Sequence, residues 1–430
     1  MIKISLSPLK LQFKGLLFSR LLQASSWLFA GGLIGGMLGY FFQIIMGRML
    51  SVIEYGIFSA FMAIIALAGA PLLTLSMVVS RKVSSYRSEK DASNRKHLYY
   101  VTTRKALLMG LVLVALLFFF IEHLEYFLKV ESNIYFFLLS FGLFIAFPQS
   151  VNNAYLQGLQ YFKWLSMSGI LGTLLKIIIA VWFIWLGFGV SGALGGFVFS
   201  SLIMLIITYI ILRPSLKGNK ECVLDNDHLS FKSIMPVLLA NIAFVTMTQI
   251  DIILVKYYFT EQDAGLYAAA SILGKAVMYL PGSIALALFP MVAENYAVGK
   301  DSAHLLFQAV GVTAILSSAG ALIYYFFGES IITVLYGVDY KVAGEILKYF
   351  GFAILPMALI FVAEHYLIAM SRVIFAYLFM IIAPFQLLAI YYFHDTLLTI
   401  VAIISISGLI LVVTGYGLLW RILKNDKKTT

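Results

Sequence analysis

Long apolar stretches alternate with short charged or turn-rich breaks along almost the whole chain. Each stretch is evenly apolar and close to the roughly 20 residues that a helix needs to cross the hydrocarbon core of a bilayer. The pattern predicts twelve membrane-spanning helices rather than the amphipathic helices of a soluble core. The predicted spans are 24–46, 57–79, 101–121, 134–150, 164–187, 190–212, 233–258, 264–292, 303–327, 349–370, 373–393 and 396–420.

Basic residues are distributed unevenly between the breaks. If alternate loops face the cytoplasm, those loops and the two termini carry 23 of the 30 Lys and Arg residues, whereas the opposite loops and helix ends carry five. Cytoplasmic loops of membrane proteins are enriched in Lys and Arg. We therefore expect both termini in the cytoplasm. The net charge of +10 then indicates orientation and contact with anionic lipid, and no nucleic acid partner is predicted.

The composition agrees with a membrane protein and excludes several site chemistries. The chain is 62% hydrophobic and 12% charged, whereas soluble domains are about half apolar and about a quarter charged. Cys222 is the single cysteine and the six His show no metal-ligand spacing, so we predict no disulfide, metal or cofactor. Residues 1–23 are basic and lack a cleavage pattern, which predicts a cytoplasmic interfacial segment.

A short motif occurs twice, 209 residues apart, each time just before the second span of its half. Its best-matched positions are Ser51 with Thr260, Glu54 with Asp263, and Gly56 with Gly265. Pro71 and Pro281 also fall at nearly the same offset, inside the helix that follows, where proline can form a hinge. The motif and the six-plus-six pattern of spans predict an internal duplication.

The duplication predicts an all-α membrane fold with two six-helix lobes in parallel orientation around a central cavity. The lobes comprise residues 24–212 and 233–420, joined by a cytoplasmic loop at 213–232 and followed by a cytoplasmic tail at 421–430. Parallel repeats of this kind suit alternating access, in which two lobes rock about a site between them.

Five ionisable side chains fall inside the predicted spans and away from their ends. They are Lys176, Asp251, Lys275, Glu364 and His365. A charge at the centre of a membrane helix costs roughly 2.5–3.5 kcal/mol on insertion scales, so such a residue normally faces a cavity or a partner. These residues are therefore candidates for function. For the two lysines the alternative is a buried salt bridge that only fixes helix packing.

Polar residues recur every four positions on the eighth predicted span, at Tyr267, Ser271, Lys275 and Tyr279. This spacing forms one helix face, which we expect to meet water. On the seventh span Asn241, Thr248 and Asp251 share a face, so Asp251 could pair with Lys275, compete with substrate for it, or bind a proton or Na⁺.

Glu364 and His365 are adjacent, and their side chains point about 100° apart, so they cannot both line one narrow stripe. A proton relay through Glu364 or through His365 stays an open alternative. Glycines in the first span, at 31, 32, 35, 36 and 39, follow no strand, and we interpret them as a helix-packing face rather than a nucleotide-binding loop.

Four segments carry a resemblance to a known family: 47–56 (GRMLSVIEYG), 156–164 (LQGLQYFKW), 251–267 (DIILVKYYFTEQDAGLY) and 281–290 (PGSIALALFP). The sequence resembles the polysaccharide and oligosaccharide flippases (Wzx-like) of the multidrug/oligosaccharidyl-lipid/polysaccharide (MOP) exporter superfamily. The resemblance implies a bacterial inner-membrane protein that moves an undecaprenyl-diphosphate-linked oligosaccharide to the outer leaflet, for surface polysaccharide such as O-antigen. It also implies alternating access with H⁺ or Na⁺ as coupling ion, and polysaccharide polymerase or assembly proteins as partners.

The resemblance also suggests roles for single residues. Lys176 and Lys275 would hold the anionic head group, and Arg48 and Lys256 would contact it near the outer exit. Tyr161 stands where the family often has arginine, which leaves Lys163 as the nearest cation.

Two other functions remain open at this point. A multidrug or cation antiporter would share the architecture, but its cavity would favour carboxylates and aromatic residues over central lysines. A membrane polysaccharide polymerase or glycosyltransferase needs reactive groups gathered in a substantial outer loop, and no predicted outer loop exceeds about twenty residues. We therefore do not expect an enzyme.

Overall fold

A computed structural model of the chain describes residues 27, 30–86, 92–130, 132–217, 231–278, 288, 292, 295, 302–370, 372 and 374–429. Within these ranges the chain forms thirteen α-helices and no β-strand. Eleven of the helices are long and apolar enough to cross a membrane. The protein is therefore a multi-pass membrane protein, as the hydropathy pattern predicted. The remaining predicted span, 264–292, is described continuously only to residue 278.

The N-terminal half contains seven helices: α1 (Ala30–Met49), α2 (Val52–Ser85), α3 (Ala92–Phe119), α4 (Ile121–Leu128), α5 (Asn133–Gly158), α6 (Phe162–Trp185) and α7 (Gly189–Leu212). Of these, α4 is a short surface helix where the sequence predicted the end of a span and a loop.

The C-terminal half contains six helices: α8 (Phe231–Tyr258), α9 (Glu261–Lys275), α10 (Ala303–Tyr336), α11 (Ala343–Ala369), α12 (Ile374–Tyr392) and α13 (Leu397–Thr429). Helix α10 continues nine residues past the predicted end at 327. It stops at Gly337, whose φ of 115° lies in the region that favours glycine.

Large apolar side chains cover the outside of the helix bundle. Trp185, Phe119 and Ile315 are 79%, 78% and 70% exposed. So large an exposed apolar surface is unusual for a soluble protein and is what lipid tails would cover.

The two halves meet closely at one end of the bundle, which we call the Gly56 end; it carries the connections α1–α2 and α8–α9. A Cβ built on Gly56 would lie 2.9 Å from the backbone nitrogen of Gly265, and a Cβ on Gly265 would overlap the carbonyl oxygen of Val52. These two glycines are matched in the repeated motif. Their contact brings α2 and α9 together where any side chain would separate them.

The other matched positions of the motif begin these two helices. Ser51 is the N-cap of α2 and its Oγ accepts a hydrogen bond from the Glu54 backbone N–H at 3.3 Å. Thr260 is the N-cap of α9 and its Oγ1 accepts one from the Asp263 backbone N–H at 3.1 Å. N-caps satisfy backbone donors that a helix start leaves unpaired. The motif thus repeats one structural element in both halves.

The α1 glycines do not all pack as the sequence suggested. A Cβ on Gly31 would overlap Ser166 of α6, in keeping with close helix packing. In contrast, nothing in the described residues lies within 4 Å of a Cβ on Gly32, Gly35 or Gly39. Among the described residues, the packing interpretation is therefore supported for Gly31 alone.

The proposed hinge positions are only partly described. Helix α2 runs from Val52 to Ser85 with Pro71 inside it. Pro281 lies outside the described residues. Helix α9 ends at Lys275 and continues as a 3₁₀ helix at Ala276–Met278, within a span predicted as one helix. A 3₁₀ segment inside a span often marks a hinge or local strain.

Candidate functional site

A buried ion pair joins the seventh and eighth predicted spans. The Nζ of Lys275, the last residue of α9, lies 3.0 Å from both Oδ1 and Oδ2 of Asp251 on α8. Tyr267 donates its hydroxyl hydrogen to Asp251 Oδ2 at 3.1 Å, and Ser271 donates to the same oxygen at 2.9 Å. The Asp251 carboxylate is fully buried, and the Lys275 side chain is 11% exposed.

This geometry corrects the expectation that the stripe Tyr267, Ser271, Lys275 faces water. Tyr267 and Ser271 are fully buried, and all three side chains turn toward one carboxylate. The reason is electrostatic, since a carboxylate within the bilayer is costly until donors surround it. Tyr279, the fourth position of the stripe, lies outside the described residues.

Lys176 has a different environment from Lys275. Its Nζ lies 4.2 Å from the ring centroid of Phe42 on α1, a cation–π distance, and it makes no hydrogen bond or ion pair with the described residues. Lys176 is two residues from Leu174 and Ile178 of the exposed apolar face of α6, which places it about 160° away from that face. The half-buried ammonium therefore points into the N-terminal half.

Glu364 and His365 on α11 also differ from each other. His365 Nδ1 lies 2.9 Å from the Phe361 carbonyl oxygen one turn earlier, and its ring lies 4.2 Å from the Phe361 ring. Glu364 is half-buried and has neither a hydrogen bond nor an ion pair within the described part of the chain. The His365 imidazole is thus hydrogen-bonded within its own helix, whereas no described residue pairs with the Glu364 carboxyl group.

Buried tyrosines from the two halves contact each other at the Gly56 end. The hydroxyl oxygens of Tyr55 and Tyr336 are 3.1 Å apart, and their ring centroids are 5.5 Å apart. The ring of Tyr340 packs edge-on against Tyr55 at 5.9 Å. Burial, followed by the neighbouring Tyr336 and Asp339, raises the pKa of Tyr340 above its ordinary value. The phenol therefore stays protonated at physiological pH.

Three further candidates remain, and two of them bridge helices. Arg48 donates hydrogen bonds to the carbonyl oxygens of Val334 and Leu335 in the last turn of α10. An arginine in this position satisfies carbonyls that the helix end leaves unpaired. Asn241 Nδ2 donates to Thr74 Oγ1 at 3.0 Å and so links α8 to α2. Arg48 and Asn241 each connect the two halves.

Lys256, near the C-terminal end of α8, is the third. Its side chain is fully buried, and its Nζ makes no hydrogen bond to any described residue. Its Nζ forms a long salt bridge with Oε1 of Glu261, 3.8 Å away.

A buried polar network in the N-terminal half escaped the sequence analysis. Tyr99 donates to Asn152 Oδ1 at 2.8 Å, and Asn152 Nδ2 donates to Thr208 Oγ1 at 2.9 Å. The Asn152 and Thr208 side chains are fully buried and join α3, α5 and α7. The run Gln149–Ser150–Asn152–Asn153 at the end of a predicted span is the sequence signal for this network.

Comparison with known proteins agrees with this architecture. Residues 21–296 match the family described as "Polysaccharide biosynthesis protein". The chain belongs to that family. Comparison with curated protein sequences gives no significant match.

Solved transporter structures share the fold at low sequence identity. A multidrug resistance MATE family transporter of the MOP superfamily, in an inward-facing conformation, matches with a TM-score of 0.72 and 15% identity, over 93% of this chain and 96% of that one. The lipid II flippase MurJ, in an inward closed conformation, gives 0.71 and 16% over 93% and 87%. An outward-facing MATE transporter gives 0.62 and 17% over 95% and 97%. These similarities show that the chain has the fold of these transporters.

Proposed function

We propose that the protein is a flippase that moves undecaprenyl-diphosphate-linked oligosaccharide from the cytoplasmic to the outer leaflet of a bacterial inner membrane. The chain belongs to a family described as "Polysaccharide biosynthesis protein", and this membership supports a cargo that contains saccharide. The observation that carries the proposal is the ammonium of Lys176 in the N-terminal half, which contacts the Phe42 ring and has no carboxylate partner or hydrogen bond among the described residues. An unpaired cation at membrane depth suits a transient anionic partner such as a diphosphate, because a permanent partner would occupy it.

The ion pair changes the part that Lys275 plays in this proposal. The family resemblance assigned both lysines to the head group, but Lys275 is held by Asp251. We propose that Lys176 makes the first contact with the diphosphate. Lys275 becomes available only when Asp251 is protonated or binds another cation, so the pair would link ion binding to cargo binding. Glu364 on α11, which has no partner among the described residues, is the second candidate for binding that coupling ion, H⁺ or Na⁺.

The proposed orientation of the protein in the membrane rests on the charge of its loops. The Gly56 end would face outward, and the termini would lie in the cytoplasm. Tyr55, Tyr336 and Arg48 then hold the two halves together at the outer side. In alternating access these contacts break when the cavity opens to the outer leaflet.

A second function is favoured by one observation. The carboxyl group of Glu364, which no described residue pairs with, could hold a lipophilic cation, as a multidrug antiporter of the same fold would require. Lys176 would repel such a substrate, and for this reason we rank the flippase first.

Deletion of the protein followed by sidedness labelling of the lipid-linked oligosaccharide separates these functions. A flippase predicts that the carrier accumulates on the cytoplasmic leaflet, with loss of surface polysaccharide and unchanged drug sensitivity. Unchanged carrier sidedness together with increased sensitivity to cationic drugs would favour the antiporter. Unchanged sidedness with shortened polymer would favour a polymerase.

A further inference from the structure

Helix α4 ends in a turn that places a lysine in a backbone conformation that favours glycine. The backbone N–H of Val130 donates to the Glu125 carbonyl oxygen at 3.1 Å, and that of Lys129 donates to the Tyr126 carbonyl oxygen at 3.3 Å. These two bonds form a Schellman motif, in which the left-handed position is usually glycine. Lys129 occupies that position with a φ of 53°. A side chain there costs free energy, and it persists where other contacts hold it.

The Lys129 side chain supplies such a contact, and it reaches the other half of the protein. Its Nζ donates to the Phe259 carbonyl oxygen at 3.0 Å. Phe259 follows the last residue of α8, and carbonyl groups at a helix end lack helical partners and favour a cation. Arg48 donates to the last turn of α10 in the same way. In two places at the Gly56 end, a basic residue of the N-terminal half therefore completes a helix end of the C-terminal half.

The rest of the contact between α4 and the C-terminal half is small. The Phe127 ring stacks on Tyr257 of α8, with centroids 4.4 Å apart and ring planes 7° apart. Leu128 is fully buried, whereas Tyr126 is 77% exposed and Glu122 is also exposed. The contact involves one face of a two-turn helix at the surface. It can therefore break without unfolding the core of either half.

Charges beside this contact oppose it. A cavity of about 880 Å³ lies between α4 and the junction of α8 and α9, and it is lined by Glu122 and Glu125 of α4 and by Glu261 of α9. Like charges on the two halves repel each other. Among the described residues that line the cavity, Lys129 is the one that carries a positive charge. Loss of its ammonium would leave the carboxylates of the two halves facing each other without a cation in that lining.

We propose that α4 is a latch that holds the Gly56 end closed. Lys129 and the stacked rings of Phe127 and Tyr257 hold α4 on the C-terminal half, and repulsion between the carboxylates favours its release. Lys129 controls the balance, because it provides both the hydrogen bond and the compensating charge. The latch rests on the proposed function in one respect, since its release belongs to the step of alternating access that opens the outer side.

Distances between spin labels on the purified full-length protein test the latch, in a Cys222→Ser background. One pair of labels, on cysteines at Tyr126 and Val338, follows α4. A second pair, at Val338 and at Trp185 in the last turn of α6, follows the two halves without α4; all three positions are 74–79% exposed. Lys129→Met should raise the ratio of long to short distances about threefold for both pairs, as expected for one exposed hydrogen bond to a charged group.

Three further variants identify the group responsible. Lys129→Arg keeps a cation with its donors and should give the wild-type distances. Lys129→Gly keeps the left-handed turn but removes the ammonium, so it should resemble Lys129→Met. Lys341→Met is the matched control, because it removes an exposed lysine that pairs with Glu329 inside the C-terminal half. It should leave both distances unchanged.

Two results would overturn the latch. Wild-type distances in Lys129→Met, or in Lys129→Gly, would show that the ammonium does not hold the Gly56 end closed. A longer distance between labels at Tyr126 and Val338, with an unchanged distance between Trp185 and Val338, would show that α4 detaches without any effect on the two halves.

A cross-link tests the release of the latch during transport. Cysteines in place of Phe127 and Tyr257 are joined by a short reducible cross-linker in the same background. The cross-linked protein should lose translocation of a fluorescent undecaprenyl-diphosphate oligosaccharide in liposomes and regain it after reduction. Equal rates before and after reduction would overturn the latch and leave the flippase intact. Absence of translocation with wild-type protein would count against the proposed function instead, and the label distances would still decide the latch.

Discussion

Gly56 and Gly265 contact each other directly, and they occupy the same position in the two copies of the repeated motif. Each lies in the first turns of its helix, after the caps Ser51 and Thr260. A Cβ on Gly56 would be 2.9 Å from the Gly265 nitrogen, closer than real Cβ contacts. Equivalent residues of two repeats meet each other only near the axis that relates them. If the two copies of the motif mark an internal duplication, the axis that relates the halves passes between α2 and α9.

The first prediction concerns this contact. Gly265→Ala should separate the halves at the Gly56 end, because the added methyl overlaps the backbone carbonyl of Val52, which cannot rotate away. Spin labels on cysteines at Tyr126 and Val338, both exposed at this end, should show a longer distance in a Cys222→Ser background. Gly311→Ala is the control, since a Cβ there has nothing in the described residues within 4 Å. An unchanged distance in Gly265→Ala would show that the contact does not limit closure.

The second prediction concerns the contact between Tyr55 and Tyr336. Tyr55→Phe leaves the buried Tyr336 hydroxyl without its partner, which should cost the closed state about 1–3 kcal/mol. A population with a longer distance between the same labels should appear, smaller than in Gly265→Ala because the rings still pack. If Tyr55→Phe gives the wild-type distribution, the hydroxyl pair contributes nothing to closure.

The third prediction separates stability from transport at the ion pair. Lys275→Met leaves the buried Asp251 carboxylate unpaired, which should destabilise the protein by roughly 3–5 kcal/mol, whereas Asp251→Asn with Lys275→Met should restore most of the loss. Thermal unfolding in detergent measures both. If the pair couples ion binding to cargo binding, the double variant should be stable but inactive in restoring surface polysaccharide. Full activity of the stable double variant would assign the pair to packing alone.

The fourth prediction concerns Lys176. Lys176→Met should reduce surface polysaccharide at least about tenfold at normal protein levels, since one charged partner of the diphosphate is lost. Lys176→Arg should retain more activity, because arginine keeps the charge and binds phosphate groups. Lys341→Met, which removes an exposed lysine from a surface pair, should resemble the wild type. Equal polysaccharide in all three would remove Lys176 from the mechanism.

The hydropathy pattern predicted most of the membrane-spanning helices. A membrane helix must satisfy its backbone internally, so its sequence is locally apolar and can be read without knowing its neighbours. The extension of α10 to Tyr336 was missed because residues 328–336 continue the helix in less apolar sequence. The short helix α4 was missed because eight residues between spans resemble a loop.

The site could be predicted only as a set of residue types. Asp251 and Lys275 are 24 residues apart on different helices, and sequence left open whether they pair or bind substrate. Packing decides that question, as it does for Lys176, which has the same side chain but no carboxylate within reach in the described residues. Asn152 and Thr208 were not predicted because a pair of uncharged polar residues gives no distinctive pattern in an apolar span.

Transport by the purified protein tests the central claim most directly. Liposomes that contain the protein and a fluorescent undecaprenyl-diphosphate oligosaccharide are treated with a membrane-impermeant quencher. The account predicts rapid loss of the protected inner-leaflet fluorescence with wild-type protein, and slow loss with Lys176→Met at the same protein density. Protected fluorescence that persists with wild-type protein as it does in protein-free liposomes would contradict the account.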